Sequence, residues 1–313
     1  MPKIKISAIV NTRNEEENIE DCLKTLRFAD EIIVVDMESE DKTVKLALKH
    51  TKNVFNHKNV GYVEPARNFA IKKATGSWIL IVDADERIPR SLAVKLIKLT
   101  KDKEVDFVRI PRQNLIFGRW IKYSRWWPDF NIRFFKKGVV EWQDQIHSIP
   151  ITTGTGINLD PTKELSITHH HYTSIDQYIN RSVRYSKTQS KELIQEGYQL
   201  SPKDMFFKPI GEFLSRFFAG EGYKDGLHGF VLSLLQAFST LLVYLYVWQE
   251  QGFKPVHHST LIQKWPGWFK EKGKEIAYWI YTVKIHTAVK KQNRFLLRLK
   301  RKFLSWKSKT LLS

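Results

Sequence analysis

Cysteine is nearly absent from this 313-residue sequence. Cys22 stands alone, which excludes an internal disulfide framework and fits a reducing compartment. No internal repeat and no low-complexity linker interrupts the chain. The opening MPKIKISAIV lacks the apolar core of a secretory signal and reads as a first strand, so a cytoplasmic or cytosol-facing location is expected. Acids are scarce beyond Gly252, where two Glu face fifteen Lys and Arg. That segment carries a net +13 of the formal +18, which leaves +5 for the first 251 residues. The front of the molecule is close to balanced, and the basicity belongs to its end.

What is present is core material. Hydrophobic residues make up 42% and aromatics 13% of the chain. Short β-branched runs at 4–10, 31–36, 78–83 and 105–110, with a weaker one at 53–55, read as buried strands. Amphipathic stretches at 15–29, 41–50, 64–74 and 89–100 lie between them, with Pro65 and Pro89 where a first helical turn tolerates proline. Regular alternation predicts an α/β fold, a mostly parallel sheet with helices on both faces. Ligands of such sheets bind beyond the carboxyl ends of the strands, where Asn11, Asp36 and Asp83 fall. From 112 to 148 the pattern turns to aromatics and short turns, which reads as an antiparallel or irregular lid. Helices are expected at 174–196 and 202–219, and residues 227–248 carry no formal charge.

Two carboxylates, Asp83 and Asp85, stand at the mouth of the strand WILIVD. A D-x-D there suits a hard divalent cation, because Mg²⁺ and Mn²⁺ favour oxygen ligands and bridge carboxylates to phosphates. The alternative is that Asp85 or Glu86 caps the helix begun near Pro89.

Four segments occur in order at strand ends: IVNTRNEEENI, VVDMESED, GYVEPARNFAI and VDADE. Further on come Trp127-Pro128-Asp129 with Arg133-Phe134-Phe135, and Lys224-Asp225-Gly226-Leu227-His228-Gly229-Phe230. Together they resemble the family 2 glycosyltransferases of GT-A fold, nearest to the bacterial subgroup acting on lipopolysaccharide core and related envelope glycans. The resemblance covers roughly residues 4 to 250. The second loop departs from the usual D-S-G-S-T-D, reading Asp36-Met37-Glu38-Ser39-Glu40-Asp41. His147-Ser148 stands where the subgroup often has His-Glu.

The resemblance implies a metal-dependent, inverting transfer from a nucleotide diphosphate sugar, a UDP-sugar, to a lipid-linked or lipopolysaccharide-type acceptor. Mg²⁺ or Mn²⁺ would be held by Asp85, with Asp83 as a second ligand or near the ribose or the ion's waters. Thr12, Asn14, Glu15, Asp36 and Ser39 would frame the nucleoside. Arg67 would reach a phosphate, a surface salt bridge being the alternative. Asp129 is the first candidate for the base that takes the acceptor proton, with Glu141 and His147 open; the alternative for Asp129 is a turn cap or a pair with Arg133. His169-His170-His171 is read as a strand end with one functional ring at most. Trp120, Trp126 and Trp127 either stack on sugars or pack the lid.

The implied organisation is a nucleotide-sugar-binding half at 1–111, an acceptor-side aromatic lid at 112–171, a helical region at 172–251 and a basic amphipathic segment at 252–313. Ser233, Gln236 and Ser239 or Thr240 mark a polar stripe on the uncharged helix. Ile285, Val289, Leu296, Leu299, Phe303 and Trp306 fall on one face of a further helix whose other sides hold Lys290, Lys291, Arg294, Arg298 and Lys300 to Lys302. That is the pattern of an in-plane anchor on an anionic membrane surface, placing the protein on the inner face of the cell membrane. Two rival classes are weaker. A sugar nucleotidyltransferase would need a glycine-rich, lysine-bearing phosphate loop after the first strand, and none is present. A nucleic-acid-binding protein would need a recognised module beside the basic end, so no nucleic-acid partner is expected.

Overall fold

The computed structural model describes residues 5–61, 63–142, 150–288 and 291–303. The chain forms two compact units, one of residues 1–120 and 126–171, the other of residues 121–125 and 172–313.

The first unit is built on strands β1 (Ile6–Thr12), β2 (Glu31–Asp36), β3 (Val54–Asn56), β4 (Trp78–Asp83), β5 (Glu86–Arg87) and β6 (Phe107–Ile116). They alternate with helices α1 (Ile19–Thr25), α2 (Thr43–Ala47), α3 (Glu64–Lys73) and α4 (Arg90–Leu99). All seven residues of β1 are buried. Covered on both sides, its two faces feed different cores, as the period of two requires. Ala8, Val10, Leu80 and Val82 pack with Leu23 of α1 and Leu92 and Leu96 of α4. Ile9, Ile33, Val35, Ile79 and Ile81 pack with Ala66 and Ala70 of α3. Parallel register sets Asn11 beside both Val35 and Asp83, and Thr12 beside Asp36. Pro65 stands in the first turn of α3 and Pro89 is the N-cap of α4.

Next in the chain come β7 (Arg119–Trp120), β8 (Asp129–Lys136), β9 (Val140–Glu141), β10 (Ile151–Thr152), β11 (Gly156–Asn158) and β12 (Ile167–Tyr172). Among the described residues the main sheet runs β3-β2-β1-β4-β8-β6-β12-β5, with β7 and β11 also pairing with β6. The aromatic stretch expected as a lid is therefore partly sheet interior. β8 lies antiparallel between β4 and β6, and its Phe134 and Phe135 are fully buried, one in each core. Phe134 stacks on Trp78 with ring centroids 4.6 Å apart. Phe134 and Phe135 are core packing, whereas Trp120, Trp126 and Trp127 are half-buried and belong to neither core, and β9 and β10 form a separate ribbon.

In the second unit, α5 (Ile175–Gln195) and α6 (Pro202–Leu214) are N-capped by Ser174 and Ser201. Instead of running to 219, α6 ends at Leu214 and passes into a π turn over Ser215–Ala219. A short 3₁₀ turn, Gly222–Asp225, leads to α7 (Leu227–Glu250), followed by α8 (His258–Thr287) and α9 (Lys291–Phe303). The Lys224–Phe230 motif is architectural within this unit. Buried Asp225 accepts from the backbone N–H groups of Lys122 and Tyr123 at 3.1 and 2.9 Å. A Cβ on Gly229 would lie 1.8 Å from the Gly222 carbonyl oxygen, so only glycine permits that approach. The single basic helix expected near the end is two: at Ala288 the backbone turns extended, and Ile285 is buried on α8 while Leu296 and Leu299 are exposed on α9. Val289, Lys290 and Trp306 lie outside the described residues.

Candidate active site

The first two strand ends are tied together by their loops. Asp36, 5% exposed, accepts from the backbone N–H and the hydroxyl of Ser39 at 3.0 and 2.5 Å. The Ser39 hydroxyl in turn accepts from Asn14 N–H at 2.8 Å, and Asn14 Oδ1 accepts from Glu40 N–H at 2.8 Å. Glu15 N–H donates to Thr43, and Asn18 donates to the Glu15 carboxylate, both at 2.8 Å. The Thr12 carbonyl accepts from Met37 N–H at 2.9 Å. Thr12, Asn14, Glu15, Asp36 and Ser39 thus stand together. Glu38 explains how the loop tolerates its missing glycine: it occupies that position with φ 59°, the left-handed conformation a glycine would adopt without cost.

The third strand end gathers acids and guanidiniums. Asp83 meets Arg133 at 2.5 Å and Arg67 at 3.2 Å. Burial pushes the Asp83 carboxyl up, but the Arg133 and Arg67 charges outweigh it and hold the group well below the usual range. Glu86, fully buried, accepts from Asp83 N–H and from Arg133, both at 2.9 Å, and meets Arg112 at 3.4 Å. Glu86 therefore organises the cluster and does not cap α4. Four side chains here keep buried polar atoms with no hydrogen-bond partner among the described residues: Asn11 (Oδ1 and Nδ2), Thr12 (Oγ1), Arg67 (Nε) and Arg133 (Nε). Buried polar groups are normally satisfied, so this set at the carboxyl ends of the strands is a place where the fold leaves its own bonding incomplete.

Asp129 pairs with Arg112 at 2.7 Å, not with Arg133. Its Oδ2 also accepts from Asn114 at 3.2 Å, and its Oδ1 accepts from Asn131 at 3.1 Å. Burial raises this carboxyl, and the Arg112 charge with the three side-chain hydrogen bonds brings it below its ordinary value. Asn114 leads on to the histidines. His169 Nδ1 lies 2.6 Å from Asn114 Oδ1, His169 Nε2 lies 3.4 Å from Asp85 Oδ2, and His171 Nδ1 lies 3.3 Å from His169 Nδ1. Two rings of the run, not one, face the site, because positions two apart share a strand face. Trp126 meets His171 edge-on at 5.5 Å, and Trp120 meets Trp127 at 5.0 Å.

Among the described residues no three His, Cys, Asp or Glu side chains converge as a metal cage. The residues still fit a hard divalent ion of the kind held by one or two carboxylates plus substrate phosphates. If Nδ1–H of His169 donates to Asn114, the lone pair on Nε2 faces the Asp85 carboxylate, a pairing that a cation relieves. Asp83 is committed to two arginines and is the less available ligand of the D-x-D. Glu141 is exposed on the β9–β10 ribbon, and among the described residues no contact joins it to the cluster. His147 lies outside the described residues.

Comparison with known proteins gives three kinds of match. The family described as Glycosyl transferase family 2 matches residues 7–166. An uncharacterized glycosyltransferase of Rickettsia typhi is 30% identical over 251 residues, 76% of this chain and 85% of its own. The lipopolysaccharide core biosynthesis glycosyltransferase LpsC of Rhizobium meliloti is 23% identical over 262 residues, 81% and 96% of the two chains. Among solved structures, glucosyl-3-phosphoglycerate synthase from Mycobacterium tuberculosis, in complex with Mg²⁺ and UDP, is similar at 21% identity and TM-score 0.32. The match covers 36% of this chain and 44% of that one, so this chain spans less than half of that structure.

Proposed function

The chain belongs to glycosyl transferase family 2 and has the GT-A α/β fold, and we propose that it transfers a sugar from a UDP-sugar to a lipid-linked or lipopolysaccharide-type acceptor with inversion at the anomeric carbon. The observation that carries this reading is the strand-end cluster. Acids at 36, 83 and 85 and guanidiniums at 67 and 133 surround buried polar atoms left unsatisfied at the carboxyl edge of the sheet. A nucleoside diphosphate offers what that edge lacks: hydroxyls and a base edge for Asn11 and Thr12, and phosphate oxygens for the arginines. The relative named for lipopolysaccharide core synthesis supports an envelope acceptor.

In this reading Asp36 accepts from the donor's ribose or base, in a frame that Asn14, Glu15 and Ser39 hold rigid. Asp83 keeps Arg67 and Arg133 aimed at the diphosphate and lies near the ribose. Mg²⁺ or Mn²⁺ would be held by Asp85, with His169 beside it, and would supply positive charge for the departing diphosphate. The acceptor hydroxyl attacks the anomeric carbon, the bond to the diphosphate breaks, and Asp129 takes the hydroxyl proton through Oδ1. Asp129 is ionised at neutral pH as any ordinary carboxyl is, the form a base requires, and the Arg112 charge that lowers it makes it a weaker base than a free carboxylate. The enzyme works on the inner face of the cell membrane, where the basic residues 252–313 meet anionic lipid.

The test is transfer of label from UDP-sugars to an envelope lipid extract by the full chain. Transfer is expected to need a divalent ion and to fall at least a hundredfold in Asp85→Asn, whose amide is a poorer hard-cation ligand. Full transfer in a chelator would remove the metal from the scheme, and no transfer from any nucleotide sugar would remove the scheme.

A further inference from the structure

Helix α7 buries a polar seam among the apolar residues Leu232, Val243 and Val247, and leaves large apolar groups on its outer side, where a helix in water carries polar ones. Among the described residues it is the one helix long and apolar enough to cross a membrane by length and composition. Along its inner side, Ser233 is buried and donates to the Gly229 carbonyl at 2.7 Å. Gln236 donates to the Tyr178 hydroxyl at 2.6 Å, and Ser239 donates to Ser182 at 2.8 Å. The α5 side of this seam is a ladder of small polar residues, the buried Ser182, Ser186 and Ser190. On the outer side Leu227, Phe230, Leu234, Phe238 and Leu245 are 36–74% exposed. At 100° per residue those five fall within roughly a quarter of the helix circumference, opposite Gln236.

Helix α8 also carries an exposed apolar stripe. Its Lys272 and Glu275 form a buried pair at 2.6 Å, while Ile262, Trp265, Phe269, Ile276 and Ile280 are exposed at spacings of three, four, seven and four. α9 adds exposed Phe295, Leu296 and Leu299 among arginines and lysines. Single exposed apolar residues are ordinary, but stripes of this kind on successive helices of one unit, α7 and α8 both packed on α6, mark an interaction surface.

Charge selects the occupant. Residues 252–313 carry +13, so a second copy would bring like charge against like, whereas an anionic bilayer complements it. A spanning arrangement is disfavoured by α5, which packs along the inner side of α7 and carries Arg181, Arg184, Lys187 and Lys191. Hydrocarbon on that side would meet four charges. We propose that the outer faces of α7 and α8 lie in the plane of an anionic lipid bilayer, at the boundary of headgroups and acyl chains, with the basic residues of α9 on the headgroups. This deepens the membrane-surface reading given above by moving the apolar contact from the segment that starts at Ile285 to α7 and α8. It draws its purpose from a membrane-bound acceptor, but binding is read without substrate, so failure of the transferase reading leaves it standing.

The experiment is flotation of the full chain with vesicles of phosphatidylglycerol and phosphatidylcholine, and with phosphatidylcholine alone. The wild type is expected to float with the anionic vesicles and to be released by alkaline carbonate. Leu234→Glu/Phe238→Glu on α7 and Trp265→Glu/Phe269→Glu on α8 should each lower the partition coefficient at least about tenfold, since burying one large apolar side chain is itself worth about that factor. Unchanged far-UV circular dichroism in both pairs keeps the loss from being one of folding. The proposal is overturned if both pairs bind as the wild type does while deletion of 285–313 abolishes binding. It is equally overturned if the wild type resists carbonate as a spanning protein does, or if it fails to bind and forms a dimer that the glutamates dissolve.

Discussion

Arg133→Met tests the electrostatic core of the site. Arg133 is 4% exposed and holds Asp83 at 2.5 Å and Glu86 at 2.9 Å, Glu86 itself being fully buried. Removing one partner of a buried ion pair costs about 3–5 kcal/mol, because the remaining charge is left in a poor solvent. Here Arg112 remains 3.4 Å from Glu86, and Arg67 remains 3.2 Å from Asp83. The low end, about 3 kcal/mol, is therefore expected from urea unfolding at pH 7. Adding Glu86→Gln should restore part of the loss, since a neutral amide keeps the Asp83 N–H bond without an unpaired charge. A coupling of about 1–3 kcal/mol is expected. The pH dependence has a definite sign. The Asp83 carboxyl is depressed in the folded protein, so its contribution is full above the unfolded value near 4 and is lost as pH falls through the folded one. The gap between wild type and Arg133→Met is thus widest at neutral pH and narrows below about pH 4. A loss under about 1 kcal/mol, or strict additivity with Glu86→Gln, would mean that Arg133 does not hold the two carboxylates as a coupled buried pair.

Two other substitutions probe separate links. Asp129→Asn should lower kcat by about 10²–10⁴-fold while leaving UDP affinity nearly unchanged, measured by steady-state kinetics beside a binding titration; the reverse split would place the base elsewhere. Glu38→Gly should stabilise the protein by up to about 1 kcal/mol in urea, because a left-handed non-glycine costs about 1–2 kcal/mol and glycine gives back part of that in unfolded-chain entropy. A loss of stability there would mean that the Glu38 contact with Asn59 N–H, 3.3 Å long, outweighs the backbone strain.

The parallel half of the sheet was legible because β1, β2 and β4 are short, nearly continuous apolar runs that turn polar at Asn11, Asp36 and Asp83, the pattern of a strand covered on both faces. β8 was not. Its inward aromatics alternate with Asp129, Asn131 and Arg133, and neither propensity nor period says that this strand inserts between β4 and β6. The carboxylate partners were hidden for the same reason. Asp83 meets Arg133 across 50 positions, and His169 meets Asn114 across 55, distances that only sheet order closes. Two weak signals were available: Arg112 and Asn114 share a strand face, as do His169 and His171, each pair two residues apart. The break at Ala288 had no such signal, for no proline or glycine stands there and α8 ends on an extended backbone.

The most direct measurement is calorimetric titration of UDP into the full chain with Mn²⁺ present, wild type against Asp36→Asn. One saturable site is expected, which the substitution weakens by about ten- to a hundredfold, the worth of a hydrogen bond to a buried charged group. UDP bound equally well by Asp36→Asn, or no nucleoside diphosphate bound by the wild type, would contradict it.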